Sequence, residues 1–120
     1  MKKILCLDDD KDMLELEQLL LTQSGYQILT AKDATEAMVV TEDVLLDLIV
    51  LDLDLAGEDG LVMMKFLLRN HPGVPIILYT GQEYDQEAIA KMLQQGAARY
   101  LKKQTGDELV AAVRQLCPLD

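Results

Sequence analysis

The sequence has no tryptophan, one phenylalanine, one histidine, two cysteines and three prolines in 120 residues. Each shortage closes off a class of function. Cys6 and Cys117 have neither CxxC spacing nor a histidine cluster beside them, so no zinc site or disulfide framework is expected. Both read as reduced, structural thiols of a cytoplasmic protein. Basic residues are scarce: 11 Lys and Arg stand against 21 Asp and Glu, a formal net charge of -10. Phosphate backbones and anionic lipid would repel such a chain, so neither direct nucleic-acid binding nor a membrane partner is expected. No apolar run approaches the ~20 residues that cross a bilayer. The run that follows Lys2 and Lys3 stops at Asp8, too early for a secretory leader.

What the chain does have is apolar residues, at 50% of the total, with 27% charged, a balance that can bury a core. Its length fits one domain over residues 1–120. Five short apolar runs read as strands: Ile4 to Leu7, Gln27 to Ala31, Leu48 to Leu51, Pro75 to Tyr79 and Arg99 to Leu101. Helical spacing recurs between and after them, in Met13, Leu16 and Leu20; Ala34, Ala37 and Met38; Leu61, Met64, Leu67 and Leu68; Ile89, Met92 and Leu93; and Leu109, Val113 and Leu116. Asp33 with Glu36 and Thr105 with Glu108 have capping-box spacing, and Asp10 suits a helix start. Gly25 and Gly96 fall where a left-handed residue ends a helix. The alternation predicts an α/β fold of (βα)5 type. Right-handed crossovers would give a parallel sheet covered on both faces, which accounts for the continuously apolar Leu48-Ile49-Val50-Leu51.

In such a sheet, ligands collect outside the carboxyl ends of the strands. Those ends carry Asp8-Asp9-Asp10, Asp52-Leu53-Asp54, Thr80-Gly81 and Lys102-Lys103. Asp8, Asp9 and Asp52 would converge, and carboxylates that close stay ionised only with a compensating cation. Carboxylate oxygens with water suit Mg²⁺. If the strand persists, Asp8 and Asp9 point to opposite faces, so one of them, Asp9 by preference, ligates directly. Metal, carboxylate nucleophile, hydroxyl and cation together make the set needed for phosphoryl transfer to a carboxylate. His71, in the turn-like Asn70-His71-Pro72-Gly73, reads as a loop residue and not as a phosphate carrier.

Four segments carry a family resemblance: Ile4 to Asp10, Asp47 to Gly60, Pro75 to Gly81 and Gly96 to Lys103. With them the chain resembles, over essentially its whole length, the receiver domain of two-component response regulators. The resemblance implies a flavodoxin-like three-layer sandwich with strand order 2-1-3-4-5. It implies that Asp52 accepts a phosphoryl group from a sensor histidine kinase or a histidine phosphotransfer protein, with Mg²⁺ held by Asp8, Asp9, the Asp52 carboxylate and the Asp54 backbone carbonyl. Lys103 would neutralise a phosphoryl oxygen and Thr80 would be the switch hydroxyl. Tyr100 would turn inward as Thr80 moves, changing the surface of the fourth helix, fifth strand and fifth helix. An output domain or a partner protein would receive that change. The module would signal rather than turn over substrate as an enzyme.

Three positions depart from the family pattern. Gln104 follows the lysine where Pro is usual, so a trans Lys103–Gln104 bond is expected. Ala56 replaces a common Pro and Gly81 a common Ala, and both bear on switching. Asp54 adds a carboxylate beside the acceptor and bears on the lifetime of the phosphoryl group. Alternative readings are an interaction domain that works without phosphate and a small aspartyl-phosphate phosphatase, whose nucleophile motif Asp52-Leu53-Asp54 resembles. A flavodoxin-like nucleotide binder fits less well, because the first strand-to-helix turn is acidic.

Overall fold

The computed structural model of the chain describes residues 1–54, 59–104 and 106–119. Strands and helices alternate as β1 (Lys3–Leu7), α1 (Lys11–Gln23), β2 (Gln27–Ala31), α2 (Ala34–Val40), β3 (Leu48–Asp52), α3 (Gly60–Asn70), β4 (Ile76–Thr80), α4 (Gln86–Gln94), β5 (Arg99–Lys102) and α5 (Gly106–Leu116). The five strands form one parallel sheet in the order β2-β1-β3-β4-β5. Its register sets Leu7 beside Ala31 and Leu51, Asp52 beside Tyr79, and Thr80 beside Lys102. The carboxyl ends of β1, β3, β4 and β5 therefore share one edge.

Side chains alternate across a strand, and the two faces of the sheet divide accordingly. Ile4, Cys6, Leu48, Val50, Ile77 and Tyr79 pack with Leu14 and Leu21 of α1 and Leu109 and Val113 of α5. Leu5, Leu7, Ile49, Leu51, Ile76 and Leu78 pack with Ala37 of α2, Met64 and Leu67 of α3, and Met92 of α4. This is why β3 and β4 are buried at every position and apolar up to their ends at Asp52 and Thr80: both of their faces are covered. The same alternation directs Asp52 toward the α1/α5 face and Thr80 toward the other.

Aspartates start four helices. The side chains of Asp10, Asp33, Asp59 and Asp85 accept from backbone N–H groups of the first turns of α1 to α4. Glu36 donates its N–H to Asp33, but its carboxylate accepts from Lys32 N (3.2 Å), one residue before the expected partner. Gly25 and Gly96 have φ of 103° and 125°, as helix-ending residues there require. Thr105 and Ala56 lie outside the described residues, and with them the second expected capping box and one departure from the family pattern. The cysteines are buried and neither is in a disulfide. Among the described residues, no helix is long and apolar enough to cross a membrane.

The structure corrects two expectations. β4 begins at Ile76 and not Pro75, because proline has no N–H to give to the ladder; its carbonyl still accepts from Ile49 N at 3.0 Å. The inner face of α1 consists of Leu14, Glu17 and Leu21, while Met13 and Leu20 are half-buried and Leu16 is exposed. Met38 and Leu93 are also exposed, leaving Ala37 and Met92 as the buried residues of α2 and α4.

Candidate functional site

β1 stops at Leu7, so strand alternation does not extend to Asp8 and Asp9. Asp8 turns inward and is 1% exposed, while Asp9 faces solvent, yet both bring a carboxylate oxygen to Asp52. One ligand atom from each of Asp8, Asp9 and Asp52 lies within 4.8 Å of the other two. The expected division between a direct and an indirect ligand thus has no basis in the backbone. Asp8 Oδ1 accepts from Asp10 N at 2.9 Å, and Asp52 Oδ1 accepts from Asp54 N at 3.1 Å. Lys103 Nζ donates to Asp8 Oδ2 at 2.8 Å and stands 3.5 Å from Asp52 Oδ2. Among these four groups three carboxylates outnumber one ammonium, a donor set that fits a divalent cation bound through oxygen.

The electrostatics follow from that imbalance. Burial, with the Asp8 carboxylate beside it, pushes the Asp52 carboxyl up to about 6, although the Asp54 N–H and Lys103 pull the other way. For Lys103, burial favours the neutral amine, but the bond to Asp8 and the charge of Asp52 outweigh it and raise the pKa. The backbone at Lys103 is fixed by its own N–H, which donates to Thr80 O at 2.7 Å. No cis peptide occurs among the described residues, so the Lys103–Gln104 bond is trans, as Gln at that position predicts.

Thr80 closes β4 and is fully buried. Its hydroxyl donates to Asp54 Oδ2 at 2.6 Å and accepts from Gln82 N at 3.1 Å. The carboxylate of Asp54, expected beside the acceptor, thus spends itself on Thr80. Tyr100 is half-buried on β5, its hydroxyl donating to Gln82 O at 3.3 Å, and its ring meets Tyr84 edge-on with centroids 6.1 Å apart. His71 ends α3 as its C-cap, away from the strand-end groups.

One residue of the site is marked in the sequence by its spacing alone. Glu17 of α1 is 2% exposed, its Oε2 has no hydrogen-bond partner among the described residues, and it lines a cavity of about 180 Å³ with Tyr79, Lys103 and Gln104. Burial and the Asp8 carboxylate push its carboxyl up to about 8, against the pull of Lys103. A glutamate three residues after Leu14 and four before Leu21 occupies an apolar position, and that spacing is the only clue the sequence held.

Comparison with known proteins follows the same lines. The chain is 33% identical over 117 residues to the transcriptional regulatory protein CpxR of Klebsiella pneumoniae, an alignment covering 97% of this chain and 49% of that one. It therefore spans about half the length of that relative. The crystal structure of a two-component response regulator from Clostridium difficile superposes with a TM-score of 0.86 at 30% identity, covering 97% of this chain and 95% of the other. A response regulator from Burkholderia pseudomallei, crystallised with a phosphorylated aspartic acid, a calcium ion and citrate, superposes with a TM-score of 0.82 at 25% identity, covering 93% of this chain and 65% of that one. The family model for the response regulator receiver domain matches residues 4–114, from β1 into α5, and the chain belongs to that family.

Proposed function

We propose that this chain is a phosphoacceptor: it takes a phosphoryl group from a sensor histidine kinase or a histidine phosphotransfer protein onto Asp52 and relays the change through its α4, β5 and α5 surface. The observation that carries the reading is the meeting of Asp8, Asp9 and Asp52 within 4.8 Å with the Lys103 ammonium between Asp8 and Asp52. An Asp52 carboxylate oxygen attacks the phosphorus of a phosphohistidine. The P–O bond forms as the P–N bond breaks, the imidazole leaves, and Asp52 becomes an acyl phosphate. Asp52 needs no base, because a carboxyl near pH 6 is mostly ionised at neutral pH. Lys103 stands where it neutralises a phosphoryl oxygen, and the Asp54 N–H fixes the rotamer of the acceptor. Asp8, Asp9, the Asp52 carboxylate and the Asp54 carbonyl would hold Mg²⁺, which offsets the charge of the entering phosphoryl group when bound.

The new group adds about two negative charges and several acceptor oxygens at Asp52. Thr80 answers it with its hydroxyl, the segment from Gly81 to Tyr84 follows, and Tyr100, bonded to Gln82 O, changes its exposure. The test is the intact mass after incubation with acetyl phosphate, with and without Mg²⁺, beside Asp52→Asn. One phosphoryl group is expected only when both Mg²⁺ and Asp52 are present. A folded protein that gains none over a short time course would mark an interaction domain that works without phosphate.

A further inference from the structure

A threonine hydroxyl has one proton to give, and in the resting chain Thr80 already gives it to Asp54. We propose that Asp54 is a positioning residue, holding the Thr80 hydroxyl in the resting chain and competing for its proton with a phosphoryl group on Asp52. The inference rests on the phosphoacceptor reading above.

The contact of 2.6 Å lies in the range of charge-assisted O–H to carboxylate bonds, roughly twice as strong as neutral ones. Gln82 N donates to the same hydroxyl oxygen, so the buried Thr80 side chain is fixed from both sides. Strand alternation has already turned Thr80 to the face opposite Asp52. Asp54 meanwhile gives its own N–H to Asp52 Oδ1 at 3.1 Å. One residue therefore touches the acceptor through its backbone and the switch hydroxyl through its side chain.

A phosphoryl group on Asp52 opposes this arrangement in two ways. Its oxygens are rival acceptors for the Thr80 proton, and its charge repels the Asp54 carboxylate. The same carboxylate already lies beside the Tyr84 hydroxyl, whose pKa is raised by burial and by Asp54. The Tyr84 ring stands edge-on to Tyr100. Movement of the Asp54 carboxylate therefore bears on Tyr84 and, through the ring contact, on Tyr100 of β5.

The experiment titrates the 120-residue chain with beryllofluoride in Mg²⁺, a stand-in for the acyl phosphate, in wild type, Asp54→Ala, Thr80→Val and the double variant. Asp54→Ala is expected to bind about tenfold tighter than wild type, the size of a charge-assisted hydrogen bond no longer given up on binding. In the Thr80→Val background the same substitution is expected to gain less than about threefold, because the competing proton is gone. Asp54→Asn, which keeps an acceptor without the charge, is expected to fall between and serves if Asp54→Ala does not fold. NMR of the unliganded protein supplies the direct readout: a Thr80 hydroxyl proton protected from exchange in wild type and lost in Asp54→Ala. An equal gain in the Thr80→Val background would reduce Asp54 to simple charge repulsion and overturn the competition, as would no gain at all. A folded wild type that binds no beryllofluoride would instead overturn the phosphoacceptor reading, and the competition with it.

Discussion

Glu17 is a carboxyl group held among apolar side chains on the inner face of α1, with Leu14 before it and Leu21 after it. Its pKa of about 8 means that the folded chain keeps the proton at neutral pH, while the unfolded chain, near the ordinary 4.5, releases it. The unfolded state then binds fewer protons, so stability falls as pH rises from about 4.5 to about 8 and levels off above. Glu17→Gln removes that slope. Thermal melts of both proteins at pH 5 and pH 9 are expected to show the variant gaining roughly 4 kcal/mol on wild type between the two, about 1.4 kcal/mol for each unit from pH 5 to about 8. The gap between the curves is the readout, since Cys6 and the site carboxylates titrate in both proteins; a gap unchanged with pH would place Glu17 in contact with water. The residue escaped sequence reading because α1 has apolar residues at 13, 14, 16, 19, 20 and 21, which support two overlapping stripes. The pattern Met13, Leu16, Leu20 hides a glutamate on the stripe that is buried. Asp8, Asp52, Thr80 and Lys103 were legible for the opposite reason: each is polar at the end of an apolar strand. The bond from Thr80 to Asp54 spans 26 residues and leaves no periodic trace.

At the scale of elements, the strands were readable nearly to the residue, because an apolar run in a sheet covered on both faces has abrupt polar ends. Helical spacing marked α3 from Leu61, one residue into the helix, but carried no sign of how its first residue packs. Gly60 is buried as the first residue of that helix, and a Cβ placed on it would come within 2.6 Å of Leu53 O and 2.7 Å of Leu53 Cα. These are backbone atoms, which cannot swing aside as a long side chain can. Leu53 joins Asp52 to Asp54, so any shift that admits a methyl group passes to both carboxylates. Gly60→Ala is expected to destabilise the fold by about 1–3 kcal/mol, as overpacking does, and to slow labelling of Asp52 by acetyl phosphate more than the stability loss explains. Glycine at Gly60 is thus a requirement of close packing and not of an unusual backbone angle. The control is Asp33→Ala, which removes the cap that Asp33 makes with Glu36 N at the start of α2 and is expected to cost about 1 kcal/mol of stability with labelling unchanged. Equal labelling in the two variants would show that Leu53 yields without moving the site.

The whole molecule carries a net charge of -10, and that excess is unevenly used. Four aspartates cap helices, where the N-terminal dipole favours them. Asp8, Asp9 and Asp52 instead crowd one edge of the sheet, with Lys103 set against Asp8 and Asp52. Any cation stabilises so acidic a chain by screening, but an ion held by the trio acts by mass action on the folded state alone. The two effects separate in a melt. Mg²⁺ at a hundredfold excess over its dissociation constant contributes about 2.7 kcal/mol, which raises the melting temperature by roughly 10 °C for a chain of this size. The rise is smaller to the extent that the ion must draw Asp8 away from Lys103. Sodium chloride at equal ionic strength gives only the screening part. Asp9→Asn, compared with its own melt without Mg²⁺, is expected to keep the screening part and lose most of the rest. If Asp9→Asn and wild type rise equally in Mg²⁺, the ion is not held by the trio, and the rise is screening alone.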